Sequence, residues 1–266
     1  MVFAAVIGAA VLVLGSAPGC TPHQPQTPGA DLPASAFPDI VATAGDKPGE
    51  ALAALEARRA GGAGSIEADV LRARLLGTLD RHAESAAAWT AVGAAEPALA
   101  IYAMRAAAAA HLEAGDHDAA APLIDQLMAS DTPADHTDLA LHLATRHRLA
   151  SRHDDARARY RAVLAARATG SRAEEARLGL AESLAATGDV DGALRELRGV
   201  RLEFGNFEAY EAAKRAETRI ARAASRPVPP VTASEYSTMI ERLLARSRYA
   251  EAITLYEDWE RADPSQ

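Results

Sequence analysis

The residues of this chain that could do chemistry are histidines, paired acids and one cysteine. Seven of the eight histidines lie between His82 and His153, and His136, His142, His147 and His153 fall within eighteen residues. That density raises metal ligation, since imidazole is a common zinc ligand. Their spacings of six, five and six do not place two rings on one helical face, as a separation of four would, and no HExxH pattern occurs. They are expected as packing and helix-surface residues, and no metal site is expected. Asp116 and Asp118 flank His117, Asp154 and Asp155 follow His153, and Asp189 and Asp191 repeat the theme. Paired carboxylates suit calcium or proton transfer, but acids at a helix start are explained by capping and the helix dipole. Neither a GxxxxGK[ST] phosphate loop nor a GxSxG elbow occurs. The chain is read as no enzyme, without a cofactor. Cys20 is the only cysteine, which excludes an intramolecular disulfide and a thiolate-rich zinc site.

The elements that position these residues follow from composition. Aromatics are 5% of the 266 residues and alanine dominates the apolar content. Alanine is the best helix former, and its small side chain lets helices approach closely. Thin, stacked helix pairs are therefore expected rather than one thick core. No strand of length is expected, because alternation is absent and β-branched runs are short. A formal charge of −8 argues against nucleic acid as a partner.

The middle of the chain repeats. A small or polar turn residue recurs at Asp80, Gly115, Ser151, Gly188 and Ser247. Five residues after each stands Ser85, Ala120, Ala156, Ala193 or Ala252; nine after stands Trp89, Ile124, Tyr160, Leu197 or Tyr256. Seven before stands Ala73, Ala108, Ala144, Ala181 or Ile240. Small residues at those offsets sit where two antiparallel helices cross, and the large residue fills the gap toward the neighbouring pair. Periods of this size mark stacked helical units.

These positions resemble the tetratricopeptide repeat, with its small residue before the turn, glycine at the turn, alanine and an aromatic after it, and a closing proline, here Pro97 and Pro264. The resemblance implies an all-α fold, a right-handed solenoid of antiparallel helix pairs. The units are expected at 66–99, 101–134, 137–170, 174–207 and 233–266. A helix at Pro48–Ala60 precedes them within an N-terminal transition, 39–65. Between the fourth and fifth units, residues 208–232 read as an extra helix, Glu208–Ala224, stopped by Arg226-Pro227-Val228-Pro229-Pro230. Thr232 or Ser234 is expected to cap the next helix. Leu243, Tyr256 and Trp259 are expected on an apolar end surface.

The N-terminus carries a thirteen-residue apolar run, Val2–Leu14, short for a membrane span and suited to a signal-peptide core over 1–19. The stretch Gly15-Ser16-Ala17-Pro18-Gly19-Cys20 resembles the lipobox of bacterial lipoproteins, which implies lipidation of Cys20. Thr21 after it, rather than Asp, implies the periplasmic face of the outer membrane. A plain secretory signal, giving a secreted chain, is the other reading of the same run. Residues 20–38 are rich in Pro, Gly, Ser, Thr and Gln and read as an extended tether, reaching about 50 Å.

In a tetratricopeptide-like array the first helices of the pairs line a concave face. The resemblance places Arg74, Arg105, Thr145, Arg148 and Glu182 there, and its arginines suit an acidic protein or peptide segment. In the second half, Ala173–Ala221, a Pro-rich break and then MIERLLARSRYAEAITLYEDW (Met239–Trp259) loosely resemble the non-catalytic superhelical region of soluble lytic transglycosylases, and envelope-assembly lipoproteins. Glu182-Ser183 and Glu84-Ser85 occur, but neither is followed by the glycine-rich stretch of that catalytic region. The expected function is a non-enzymatic interaction scaffold, membrane-tethered through Cys20; the alternative is the scaffold portion of a peptidoglycan-cleaving enzyme or of a cell-wall assembly complex.

Overall fold

Helix propensity and short reversals decide this architecture. A computed structural model describes residues 37–203, 207–228 and 230–262, all within one compact unit, 35–266. The signal segment, Cys20, the tether up to Ser35 and Ala36, Gly205 and Pro264 lie outside the described residues. Every regular element described is helical. The helices are α1 (Phe37–Thr43), α2 (Pro48–Ala60), α3 (Ile66–Thr78), α4 (His82–Ala95), α5 (Ala100–Glu113), α6 (His117–Met128) and α7 (Thr137–Leu149). They continue as α8 (His153–Ala165), α9 (Ser171–Ala186), α10 (Val190–Glu203), α11 (Phe207–Ala223), α12 (Ala233–Ala245) and α13 (Tyr249–Ala262). Helix α1 begins inside the stretch assigned to the tether, so Phe37 and Pro38 are helical. None of these helices is long and apolar enough to cross a membrane.

The pairs α3/α4, α5/α6, α7/α8 and α9/α10 stack in chain order, each second helix packing on the first helix of the next pair. This is an α-solenoid, with α11 packed on α10 as a further first helix and α12/α13 as a closing hairpin. The reversals share one device. Asp80, Gly115, Ser151, Gly188 and Ser247 all have positive φ, between 57° and 88°. At each, the next amide bonds back across the helix end: Arg81 to Leu76 O, Asp116 to His111 O, Arg152 to His147 O, Asp189 to Leu184 O and Arg248 to Leu243 O. This is the Schellman closure, in which a left-handed residue lets the chain satisfy the last carbonyls of a helix.

Burial follows the offsets. Ala73, Ala108, Ala144 and Ala181 are 0% exposed, and Ser85, Ala120, Ala156 and Ala193 on the second helices are at most 2% exposed. Ser85 Oγ donates to Ala73 O at 2.8 Å, so the two backbones meet at that crossing. Acidic caps operate where Asp116 accepts from Ala119 N (3.1 Å) and Asp189 from Gly192 N (2.9 Å). Thr232 and Glu235 form a reciprocal capping box for α12.

The end surface departs from expectation. Leu243 is buried with Met239 and Leu255, because α12 and α13 close on each other and on Tyr210. Trp259 stacks on Tyr236 with centroids 5.8 Å apart. Tyr256 is exposed, together with Tyr249 and Ile253 on the same face of α13.

Candidate functional site

Helices α7, α9 and α11 stand side by side as the first helices of their units, and a cleft of about 400 Å3 opens along them. Thr145 and Arg148 come from α7, Glu175, Leu178, Gly179 and Glu182 from α9, and Ala212, Arg215, Ala216 and Arg219 from α11. The floor is Tyr160, which belongs to α8. Its hydroxyl lies 3.2 Å from Thr145 Oγ1. Gly179 leaves room for the ring: a Cβ there would stand 2.2 Å from Tyr160 Cζ. A helical glycine costs about 1 kcal/mol relative to alanine, and here it admits the ring between α7 and α9.

The rim is charged and internally paired. Glu182 accepts from Arg148 at 2.6 Å and from Arg219 at 3.1 Å, linking three consecutive first helices. One unit earlier, Arg105 of α5 holds Asp138 of α7 through both guanidinium nitrogens, at 3.0 and 2.6 Å, and donates to Asp135 O at 3.0 Å. Burial opposes the charged form of Asp138, but the bonds to Arg105 outweigh it and hold the carboxyl below its ordinary value. Across the cleft three arginines face two glutamates, so a small positive excess remains.

Of the residues expected at the concave face, Thr145, Arg148 and Glu182 come together at the cleft. Arg105 is engaged by Asp138, and Arg74 is exposed on α3 away from the lining residues. Repeat spacing gives Tyr160 a gap-filling place and does not single out Gly179, Arg215 or Arg219. A glycine nine residues before the fourth turn, facing an aromatic nine after the third, was the available signal.

The remaining chemical candidates are occupied structurally. Ser183 is buried and donates to Gly179 O at 2.9 Å, Ser85 is bound to Ala73, and Glu84 is paired with Arg81 at 2.6 Å. With Glu182 held by two arginines, neither Glu-Ser pair presents a proton donor beside a free hydroxyl. His147 is 1% exposed and His136 4%. Burial, then neighbouring Arg152 and Arg159, lowers the His147 pKa; burial and Arg105 lower that of His136. Burial therefore favours the neutral form of both rings. Among the described residues no group of three or more His, Cys, Asp or Glu is placed to hold a metal ion.

A profile of the tetratricopeptide repeat matches residues 147–217, from the last turn of α7 into α11. That stretch contains most of the cleft wall. Among solved structures, one described as MamA MSR-1 C2 is 16% identical, with a TM-score of 0.47, covering 69% of this chain and 95% of that one. A tetratricopeptide repeat protein from Parabacteroides merdae ATCC 43184 is 15% identical, with a TM-score of 0.49, covering 85% of this chain and 93% of that one. No curated protein matches the chain. The chain is thus similar to tetratricopeptide repeats over 147–217, while its fold rests on its own helix contacts.

Proposed function

We propose that this chain is a non-catalytic scaffold that holds a segment of another protein in the cleft over Tyr160. The observation that carries this reading is the cleft itself: an apolar floor of Tyr160, Leu178, Ala212 and Ala216 between charged rims on three successive helices. Concave sites of a few hundred Å3 with a few placed polar groups are where ligands bind. A guest side chain would lie on the Tyr160 ring and Leu178. A guest carboxylate would compete with Glu182 for Arg219, whose side chain is 64% exposed. The scaffold is tethered to the bacterial envelope, at the periplasmic face of the outer membrane, through lipidated Cys20; the support is the sequence around that cysteine.

Two measurements test the halves separately. A photo-crosslinking residue at Leu178 should capture a partner in native envelopes, and Ala212→Trp, which fills the cleft, should abolish that capture with the helix content unchanged. Capture that survives filling overturns the cleft reading. An alkyne-palmitate label should enter the wild-type chain and not Cys20→Ser; an unlabelled wild-type chain ends the lipid tether and leaves the cleft standing.

A further inference from the structure

Helix α11 ends as the paired first helices end. Ser225 has φ 53°, and the Arg226 amide bonds back to Ala221 O at 2.9 Å. Ser225 follows Gly188 by 37 residues, continuing the period, so α11 is by geometry the first helix of a fifth pair. Its second helix does not form. Arg226 pairs with Asp191 of α10, and Pro230 O accepts from Arg198 of α10 at 3.0 Å. The strap after Ser225 is therefore anchored along α10, and its prolines cannot build a helix there.

The consequence is legible at one residue. Seven positions before the turn, Ala73, Ala108, Ala144 and Ala181 are 0% exposed, each on a first helix against which the second helix of its pair packs. The equivalent residue of α11 is Thr218, and it is exposed. The α12/α13 hairpin meets the first half of α11, where Tyr210 joins its core and Lys214 pairs with Asp258. A cleft of about 770 Å3 runs along the exposed face of the same helix, lined by Glu211, Lys214, Arg215, Thr218, Arg219, Arg222 and Ala223.

We infer that this cleft is a vacant second-helix slot that receives an acidic amphipathic helix from a partner protein. The shape argues for a helix, because the same face of each of the four preceding first helices takes one. Residues 215, 218 and 222 lie three and four apart, the spacing at which one helix offers a continuous face to another. The charge argues for acid. Arg215, Arg219 and Arg222 are exposed on this face, a local inversion in a chain of net charge −8. That overall charge disfavours nucleic acid and anionic membranes, whose surfaces extend beyond the slot, while a single helix meets a lining in which Lys214 and three arginines outnumber the one carboxylate, Glu211. The slot is separate from the cleft over Tyr160, although Arg215 and Arg219 border both.

The probe is a stapled helical peptide copying residues 116–128, a second helix of this solenoid with Ala120 at the crossing and Asp116, Asp118 and Asp125 around it. It is titrated into the 15N-labelled full chain and followed by backbone amide shifts. The expected result is saturable, salt-sensitive shifts of residues 214–223. Thr218→Trp or Arg222→Glu, with an unchanged circular dichroism spectrum, should weaken binding about tenfold. The peptide with all three aspartates replaced by lysine should not bind. No saturable shift up to about 1 mM, or equal binding of the charge-reversed peptide, overturns the inference. So do shifts centred on Thr145–Glu182, which belong to the other cleft. Concentration-dependent shifts of 214–223 without peptide also overturn it, since a second copy then fills the slot.

Discussion

Tyr160 and Gly179, from adjacent helices, are in such close contact that a β-carbon at 179 would overlap the phenol ring, 2.2 Å from Cζ and 2.4 Å from the hydroxyl oxygen. Gly179→Ala should therefore destabilise the fold. Overpacking costs about 1–3 kcal/mol, against about 1 kcal/mol gained from helix propensity. In a Tyr160→Ala background the ring is gone, and the same substitution should become stabilising. Urea denaturation of the four proteins of this cycle checks the change of sign.

Arg201 and Glu217 form an ion pair at the seam of α10 and α11, with Arg201 5% and Glu217 0% exposed. Burial works against the charged guanidinium, yet Glu217 and Tyr210 outweigh it and raise the Arg201 pKa. Removing one partner strands the other, so Glu217→Ala should cost about 3–5 kcal/mol. The double change Arg201→Met with Glu217→Leu should cost less than Glu217→Ala alone. Chemical denaturation of the wild type and the two variants measures the difference.

Acidification should weaken the fold through His147 and His136. Both have folded-state pKa values below the ordinary 6.5, first because of burial. Around His147 stand Arg152, Arg159 and His117, which oppose its charge, and Asp155, which favours it. Around His136, Arg105 opposes and Asp135 and Asp138 favour the charge. The unfolded chain takes up protons near 6.5, and the folded chain only at lower pH. Stability is then fully present above that range and falls as pH drops through it. Melting temperature should fall by a few degrees between pH 7.5 and 5.5, and His147→Leu should flatten that dependence.

Left-handed turn residues set a further, sign-specific expectation. Ser151 has φ 59° and Gly188 φ 88°, with no atom within 4 Å of a β-carbon at 188. Only backbone conformation is at stake at these sites. Ser151→Gly should stabilise by up to about 1 kcal/mol, and Gly188→Ala should destabilise by about 1 kcal/mol. Thermal melts of both single variants decide it.

The sequence by itself determined the helices and their turns. Alanine content and the recurring offsets around Asp80, Gly115, Ser151, Gly188 and Ser247 are local properties, because a left-handed residue and small crossing residues act within one helix pair. The cleft was legible only in part. Thr145, Arg148 and Glu182 could be placed on the concave side, since each follows from its position in its own helix. That Glu182 would hold two arginines, and that Arg105 would be engaged by Asp138, depended on the rotation between neighbouring units, which no single repeat encodes. Tyr160 reached the floor because Gly179 of another helix left space for it. The uncovered face at Thr218 follows from the strap after Ser225, which is held to Asp191 and Arg198 on α10. Local propensity reads from a few neighbouring residues; these last arrangements arise from contacts between residues 19 (Tyr160 and Gly179) to 37 (Glu182 and Arg219) positions apart, and only the packed chain brings them together.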